Sequence, residues 1–407
     1  MDIIQTQYPN KSYKQVISKI LQNGQKVSPR GKGTIELQPV VHNVLEPQKR
    51  LCSVPGRKAN PFFNMAENMW ILGGHGEHEW VCSFNNKLKE YQLDEGFNDF
   101  NAPYGRRIRF ANRHRSGQTH VQINPYNSVD IRRMPIVEQL FHCYMSLKKD
   151  QFSRQAVISL WNPVFDYFMS ETKDRPCNTT IYFKIRDNKL CMTVCNRSND
   201  VHLGLYGVNF VQFSHIQEFL AASLNIEIGH YIHLSDSLHI YDDSEITNRI
   251  LESKYEFDVY DYVEPYILTF NEIKRTYEKF GDNDVNLGSF LIIADEVYSE
   301  SLKFRESNLD INYKFSFCKS NYARGCAEFL FAYDFYKAGK YNESINMLEK
   351  SYNRGFKDWV ICGLEFINRS EKFKEFLETN GADIDMFILP KFDINQAKSI
   401  LHYIHNH

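Results

Sequence analysis

Two alternating, strand-like segments joined by a short polar turn constrain this chain more than any other feature. They cover residues 180–186 and 190–195, and the turn occupies residues 187–189. This pattern is typical of a β-hairpin. Because a hairpin brings its two open ends together, Cys177 before the first strand should lie near Arg197 after the second. A thiol beside an arginine that can bind anions suits covalent chemistry on a phosphorylated substrate.

The motifs around this hairpin resemble the thymidylate synthase family, which includes the pyrimidine nucleotide hydroxymethylases. That family has a Pro-Cys nucleophile, an Arg-Ser-x-Asp-Val segment, a glycine-rich turn ending in Asn or Asp, and a His-x-Tyr. In the same order, this chain has Pro176-Cys177, Arg197-Ser198-Asn199-Asp200-Val201, residues 204–209 and His239-Ile240-Tyr241. Upstream segments that resemble the family are Arg30-Gly31-Lys32-Gly33-Thr34, residues 66–74, Pro103-Tyr104-Gly105 and residues 152–163.

The resemblance implies an α/β (α+β) fold with a large, thymidylate synthase-like sheet flanked by helices. It also implies a homodimer assembled through sheet faces. Hydrophobic periodicity independently predicts one strand, at residues 156–161, and four helices, at residues 11–22, 61–72, 136–147 and 210–224. The last of these helices should stop near Gly229.

The chain divides by composition near residue 265. The resemblance ends at about residue 245, and the pattern from residue 266 onward is mostly helical. We therefore expect a catalytic domain at residues 1–265 and a helical C-terminal appendage at residues 266–407. Residues 325–355 look similar to one tetratricopeptide-type helix pair, which is too little for a solenoid.

Cys177 is the expected nucleophile. In the resembling family this thiolate adds to carbon 6 of the pyrimidine, which makes carbon 5 electron-rich enough to attack a folate-borne methylene. A nearby guanidinium should lower the pKa of the thiol. The resemblance implies that Glu67 organises proton transfer around the ring and that Tyr104 joins this network. Asn178 stands where most thymidylate synthases have a histidine; an amide can order a water but cannot shuttle protons at neutral pH.

The substrate implied by the resemblance is a pyrimidine nucleoside monophosphate. The planar donors of arginine suit phosphate oxygens. The residues that correspond to the family's phosphate ligands are Arg30, Arg154, Arg197 and Ser198. Arg154 would act across the dimer. Gln155 stands where the family usually has a second arginine, so phosphate binding is weaker or Lys32 or another basic residue substitutes.

Three further residues correspond to ligands of the sugar and the base. His239 and Tyr241 would bind the sugar hydroxyl. Asn209 would contact the base edge, because an amide can both donate and accept hydrogen bonds and therefore suits uracil. Cytosine-specific relatives carry an aspartate at that position. Uracil is therefore the expected base, while the choice between deoxyribose and ribose stays open.

The one-carbon donor implied by the resemblance is 5,10-methylenetetrahydrofolate, with Asp200 and Trp70 as expected contacts. The carboxy-terminal tail that closes over the folate in this family is not recognisable here. Water exclusion decides whether the exocyclic methylene on the pyrimidine is reduced by hydride or captured by water. The sequence therefore favours a hydroxymethyl product, or a mixture of hydroxymethyl and methyl products, over a methyl product alone, unless the helical appendage itself acts as a lid.

The composition and charge of the chain argue against several other kinds of partner. The chain has 407 residues, 43% of them hydrophobic and 24% charged, which is ordinary for a globular protein. Its formal net charge of −2 gives no reason to expect direct nucleic-acid binding. No apolar run is long enough to span a membrane, no export signal is recognisable, and no metal-binding spacing occurs. The nine cysteines should therefore be reduced thiols of a cytoplasmic protein.

Three further features allow more than one interpretation. The basic runs at residues 106–109 and 113–115 are either solvated surface or lie near phosphates. Cys191 and Cys195 share one face of a strand and are expected to pack in the core rather than to bind metal. The whole chain could also be a nucleotide-sensing module that kept the fold, lost turnover and binds a partner through its helical appendage.

Overall fold

The chain is built around two mixed β-sheets. The computed structural model describes residues 2–92, 99–113, 120–124, 127–130, 132, 134–168, 174–253, 258–272 and 287–405. The strands are β1 (Asp2–Thr6), β2 (Gln25–Val27), β3 (Thr34–Leu37), β4 (Val40–Val44), β5 (His120–Asn124), β6 (Asn127–Asp130), β7 (Val157–Ser159), β8 (Asn178–Arg186), β9 (Lys189–Asn196), β10 (Asn199–Asp200), β11 (Glu227–Ser235) and β12 (Leu238–Tyr241).

The larger sheet has six strands in the order β1-β4-β11-β9-β8-β7. Strand β1 is parallel to β4 and β11 is parallel to β9, whereas the other neighbours are antiparallel. The smaller sheet has the order β10-β12-β3-β2, and β5 pairs with β6 separately. Strands β9 and β11 lead directly into the segments that form the smaller sheet, so the two sheets meet where their polar motifs lie.

Helices flank the sheets and make up most of the chain after residue 286. They are α1 (Tyr13–Asn23), α2 (Pro61–Leu72), α3 (His78–Cys82), α4 (Tyr104–Arg109), α5 (Gln139–Lys149), α6 (Pro163–Phe168), α7 (Val208–Leu224), α8 (Glu245–Glu252), α9 (Leu287–Glu306), α10 (Asn321–Lys337), α11 (Tyr341–Asn353), α12 (Lys357–Asn368), α13 (Glu371–Thr379), α14 (Asp385–Ile388) and α15 (Ile394–His405). Among the described residues, no helix is both long enough and apolar enough to cross a membrane.

The predicted α/β (α+β) architecture is confirmed, and most predicted elements are present within three residues of their expected ends. Helix α2 begins at Pro61 because the Asn60 side chain accepts a hydrogen bond from the backbone N–H of Phe63 at 3.1 Å. The predicted end of helix α7 at Leu224 is confirmed, but the residue that stops the helix is Asn225 and not Gly229. Asn225 adopts a left-handed backbone with φ +55°, which closes the helix at Leu224.

The predicted hairpin is the pair β8–β9. Asp187 and Asn188 connect its strands with φ values of +51° and +57°, the conformation of a two-residue turn that matches the strand twist. At the open end, the backbone N–H of Arg197 donates to the carbonyl oxygen of Cys177 at 3.0 Å. The hairpin therefore fixes the thiol and the arginine side by side.

One hydrophobic core runs through the larger sheet, the helices on its covered face and the C-terminal helices. Its buried members include Met69 of α2, Phe213 of α7, Val297 of α9 and Phe329 of α10. A smaller core lies between α1 and the four-stranded sheet. The division into a catalytic domain at residues 1–265 and an appendage at residues 266–407 stays a prediction, because this core has no gap at that point.

The other face of strands β8, β9 and β11 is not covered by any described part of this chain. It carries Tyr182, Lys184, Thr193 and Ile232 together with Cys191 and Cys195. The two cysteines do share a face, but their expected place in the core was wrong because that face points away from it. Both are only half-buried.

Both interpretations of the basic run at residues 106–109 were wrong, because its arginines form ion pairs within the fold. Arg107 binds Asp166 through two hydrogen bonds of 3.0 and 2.8 Å, and Arg109 binds Glu138 at 3.1 Å. Arg106 pairs with Asp99 in the same way. In the second run, residues 114 and 115 lie outside the described residues.

Candidate active site

A cavity of about 330 Å³ lies where the hairpin, the smaller sheet and helix α2 meet. All of the predicted site residues line it except Asn178 and Arg154. Those that do are Arg30, Glu67, Trp70, Tyr104, Cys177, Arg197, Ser198, Asp200, Asn209, His239 and Tyr241. Its volume is in the usual range for small-ligand sites.

The nucleophile candidate Cys177 is held by Tyr104. The Tyr104 hydroxyl accepts hydrogen bonds from the backbone N–H of Cys177 at 3.1 Å and from that of Asn178 at 3.2 Å. It also receives the Asn178 side-chain amide at 2.8 Å. Asn178 is fully buried behind the cavity wall, and its Oδ1 has no hydrogen-bond partner among the described residues. One tyrosine oxygen therefore fixes the backbone on both sides of the thiol.

Arg197 binds the loop that carries the thiol. Its Nε donates to the carbonyl oxygen of Pro176 at 2.8 Å, and its Nη2 donates to that of Arg175 at 3.2 Å. The same Nη2 lies 3.8 Å from the Cys177 sulfur. Two N–H donors of the guanidinium thus bind the loop, and its other N–H groups can bind an anion in the cavity.

The expected depression of the thiol pKa was wrong. Burial raises the pKa of the Cys177 thiol, and the positive charge of Arg197 opposes this shift without reversing it. The nearby carboxylate of Asp174 raises the pKa further. Without a bound ligand, Cys177 is therefore mainly the thiol at neutral pH.

Glu67 reaches the cavity from helix α2. Burial raises the pKa of its carboxyl to about 8, although the nearby Gln212 amide acts in the other direction. The Glu67 Oε2 atom has no hydrogen-bond partner within the described part of the chain. A protonated carboxyl beside a reacting ring can donate a proton and later take one back.

Asp200 caps a single π-helical turn at Val201–Leu205, and Asn209 lies in the first turn of helix α7, which follows it. One oxygen of Asp200 accepts the backbone N–H groups of His202 and Leu203, each at 2.7 Å. Burial raises the pKa of the Asp200 carboxyl, and these two hydrogen bonds lower it. Gly204 is required in this turn, because a Cβ there would lie 1.8 Å from the Asn199 Oδ1.

The phosphate and sugar candidates come from the smaller sheet and the turn before it. His239 and Tyr241 lie on β12 with their rings 5.4 Å apart. Arg30 is exposed at the cavity rim in a left-handed conformation with φ +54°. The Lys32 amino group lies 5.8 Å from the Tyr241 ring centre, so a second cation stands near Arg30.

Arg154 does not join this cavity within one chain. It is exposed on the segment that precedes β7, next to Phe152, whose side chain is 67% exposed. Its predicted role requires a second subunit and stays a prediction.

Several lining residues were not identified from the sequence. Leu88, Tyr91 and Phe100 belong to the region between residues 75 and 127, which was expected to surround a site, but no motif distinguishes them from their neighbours. Arg175 also lines the cavity, and its position next to Pro176-Cys177 was a usable signal that sequence reasoning overlooked.

A half-buried cysteine, a buried carboxyl and several arginines around one cavity define a transferase that forms a covalent adduct with an anionic substrate. The thymidylate synthase family model matches residues 11–264, and the chain belongs to that family. Members of this family transfer a one-carbon unit to carbon 5 of pyrimidine nucleotides and use methylenetetrahydrofolate.

The chain is also similar to individual enzymes from phages and from a bacterium. The deoxyuridylate hydroxymethyltransferase of Bacillus phage SP01 is 32% identical over 369 residues, which cover 88% of each chain. That of Pseudomonas phage M6 is 34% identical over 214 residues, 52% of this chain and 53% of the relative. The thymidylate synthase of Mycoplasma mobile is 26% identical over 166 residues, 40% of this chain and 53% of the relative.

Proposed function

We propose that this transferase acts on deoxyuridine monophosphate and produces its 5-hydroxymethyl derivative. The observation that carries the proposal is Cys177 at the wall of the cavity, in contact with Arg197 and the Tyr104 hydroxyl, with Glu67 lining the same cavity. The names of the relatives from phages SP01 and M6 support the same base and product.

In this proposal the residues that line the cavity have separate roles, which follow from their positions. Arg30, Arg197 and Ser198 bind the phosphate, and the adjacent Arg175 adds a positive charge at the same wall. A bound phosphate places carbon 6 of the ring near the Cys177 sulfur. Because the free thiol has a raised pKa, its proton passes to solvent as the sulfur adds to carbon 6. The electrons of the C5–C6 double bond move to the carbonyl oxygen O4 of the ring, and the protonated Glu67 carboxyl donates its proton there.

Asn209 is the base-reading residue in this proposal. It is half-buried in the first turn of α7 and faces the cavity next to Gly204. A side-chain amide matches the alternating donor and acceptor edge of uracil in either orientation. His239 and Tyr241 contact the sugar.

The cavity fits 5,10-methylenetetrahydrofolate as the one-carbon donor. Flat apolar walls are supplied by Trp70, Ile71, Leu88, Phe100 and Val208. Leu203 is 55% exposed at the rim, where a flat ligand would cover it. Asp200 offers its second carboxylate oxygen to a ring N–H. When bound, the folate supplies the carbon unit that is transferred.

Water access favours the hydroxymethyl product over the methyl product. No residue after Tyr241 lines the cavity, as far as the chain is described, so the C-terminal helices do not act as its lid. Arg30, Tyr91 and Arg197 are all exposed along its rim. Asn178, with its free buried oxygen, can hold a water behind the nucleophile.

The proposed assembly is a homodimer through the uncovered face of β8, β9 and β11. That face combines Tyr182 and Ile232 with polar and basic side chains, which suits a surface buried between subunits. Phe152 and Val157 are also exposed next to Arg154. A partner packed there would carry its own arginine towards the cavity of this chain.

The decisive experiment measures the release of tritium from carbon 5 and the mass of the product. Deoxyuridine monophosphate tritiated at carbon 5 is incubated with the protein and methylenetetrahydrofolate, and released tritium and product mass are measured. We expect tritium release and a hydroxymethyl product from the natural chain, and neither from Cys177→Ser, which should still bind the nucleotide. Dihydrofolate formed in step with turnover would mean a methyl product instead. Nucleotide binding without tritium release from the natural chain would favour the sensing module.

A further inference from the structure

We propose that the C-terminal helices take part in catalysis by holding helix α2 in the position that directs Glu67 into the cavity. The link is a buried hydrogen-bond chain from Tyr322 on α10 through His215 on α7 to Asn68 on α2. This inference rests on the proposed function, in which Glu67 moves protons at the pyrimidine ring.

Glu67 depends on its helix because, within the described part of the chain, only the nearby Gln212 amide acts on its carboxyl. Its Oε2 has no hydrogen-bond partner in the described part of the chain. Its place is therefore set by the backbone of α2, whose other residues are all buried. Trp70 and Ile71, which also line the cavity, lie on the same helix. A small shift of α2 would move all three side chains together.

The hydrogen-bond chain enters α2 at the residue next to Glu67. The Asn68 side-chain amide donates to Nδ1 of His215 at 2.8 Å. Burial lowers the pKa of His215 far below its usual range, and nearby Arg50 lowers it further, so the ring is neutral. With Nδ1 accepting, the proton is on Nε2, which donates to the Tyr322 hydroxyl. Asn68, His215 and Tyr322 are each at most 2% exposed.

The C-terminal helices also contact both ends of α2. At its start, the Phe62 ring stacks on Phe329 of α10 with 4.5 Å between ring centres, and Arg369 donates to the carbonyl oxygen of Ala59. After its end, the His75 ring stacks on Tyr298 of α9 at 4.0 Å. The His75 Nε2 lies 3.2 Å from the Asp295 carboxylate. Asn68, where the hydrogen-bond chain meets α2, lies between these two ends of the helix.

Tyr322→Phe tests the inference, because it removes the hydroxyl and keeps the ring. We expect kcat for tritium release to fall by about five- to tenfold, the effect of about one hydrogen bond. The KM for the nucleotide should stay unchanged, because Arg30, Arg197 and Ser198 are not on α2. The pH at which the rate is half-maximal should also shift, because Glu67 would lie in altered surroundings.

Ser351→Ala is the matched control. The Ser351 hydroxyl is fully buried on α11 and donates to the Gly325 carbonyl of α10 at 2.9 Å, within the C-terminal helices and outside the chain to Asn68. The change should lower thermal stability to a similar extent while leaving kcat and the pH profile unchanged. An unchanged kcat and pH profile in Tyr322→Phe, or an equal loss in Ser351→Ala, would overturn the inference.

A second variant covers the case in which Tyr322→Phe does not fold. Asp295→Asn changes a side chain that is 51% exposed and removes the charge facing His75. We expect the same pattern in this variant, a lower kcat with an unchanged KM. A kcat equal to that of the unmodified chain would overturn the inference. Tritium release by the unmodified chain tests the proposed function separately, so the two failures are distinguishable.

Discussion

At the scale of single residues, we predict that Asn209 decides which pyrimidine the cavity accepts. Asn209→Asp should shift the preference from uracil nucleotides towards cytosine nucleotides, because a carboxylate can accept from the exocyclic amine of cytosine but gives no donor to uracil. Competition binding of deoxyuridine and deoxycytidine monophosphates to both proteins measures the shift. Equal binding of the two nucleotides by the unmodified chain would contradict the assignment.

Glu67 gives the free protein a pH dependence of stability with a definite sign. Its pKa rises from an ordinary value of 4.5 to about 8 on folding. Between these values the folded chain holds a proton that the unfolded chain has lost, so its contribution to the free energy of unfolding falls as pH rises. The contribution is complete below pH 4.5 and lost above pH 8.

Glu67→Gln should remove this component, because the amide resembles the protonated acid and does not titrate. Urea unfolding of both proteins at pH 5, 7 and 9 is the measurement. The natural chain should lose stability relative to the variant as pH increases. Parallel curves would show that Glu67 is not buried as a neutral acid.

At the scale of elements, the hairpin turn can be tested independently of the site. Asn188→Ala should lower the free energy of unfolding by about 1 kcal/mol, because a left-handed backbone disfavours a Cβ, whereas Asn188→Gly should be close to neutral. The turn is about 30 Å from Cys177 along the nine-residue strand β8. Nucleotide affinity should therefore not change in either variant, and a loss of affinity would mean that the strands transmit the change.

Elements with local signals were predictable from the sequence, and those that depend on distant partners were not. Helix α2 has Asn60 and Pro61 at its start and Gly73 at its end, all visible in the chain. Arg107 has no such signal, because its partner Asp166 is 59 positions away. The raised pKa of Cys177 was missed for the same reason, since burial by several elements outweighs the one neighbouring arginine.

At the scale of the whole molecule, the position of Arg154 predicts an active site shared between subunits. Arg154→Ala and Cys177→Ser should each be nearly inactive alone. After mixed refolding, about half of the dimers would be hybrids with one complete site, so about a quarter of the natural activity should return. Sedimentation of each sample checks the dimer.

The matched control for this mixture is Cys177→Ser with Glu67→Gln. These two changes fall in the same cavity, so no hybrid has a complete site and activity should not return. If Arg154 acts within its own chain, its mixture with Cys177→Ser would also stay inactive, and the shared site would be refuted.

Because the nine cysteines differ in exposure, their reactivity can report nucleotide binding and subunit association. Six of the nine thiols are buried, whereas Cys177, Cys191 and Cys195 are only partly covered. A soluble alkylating reagent should therefore modify at most three sites in the folded protein. Bound nucleotide should shield Cys177 alone, and subunit association should shield Cys191 and Cys195 together. Mass spectrometry of the alkylated peptides would thus read occupancy and assembly from one sample.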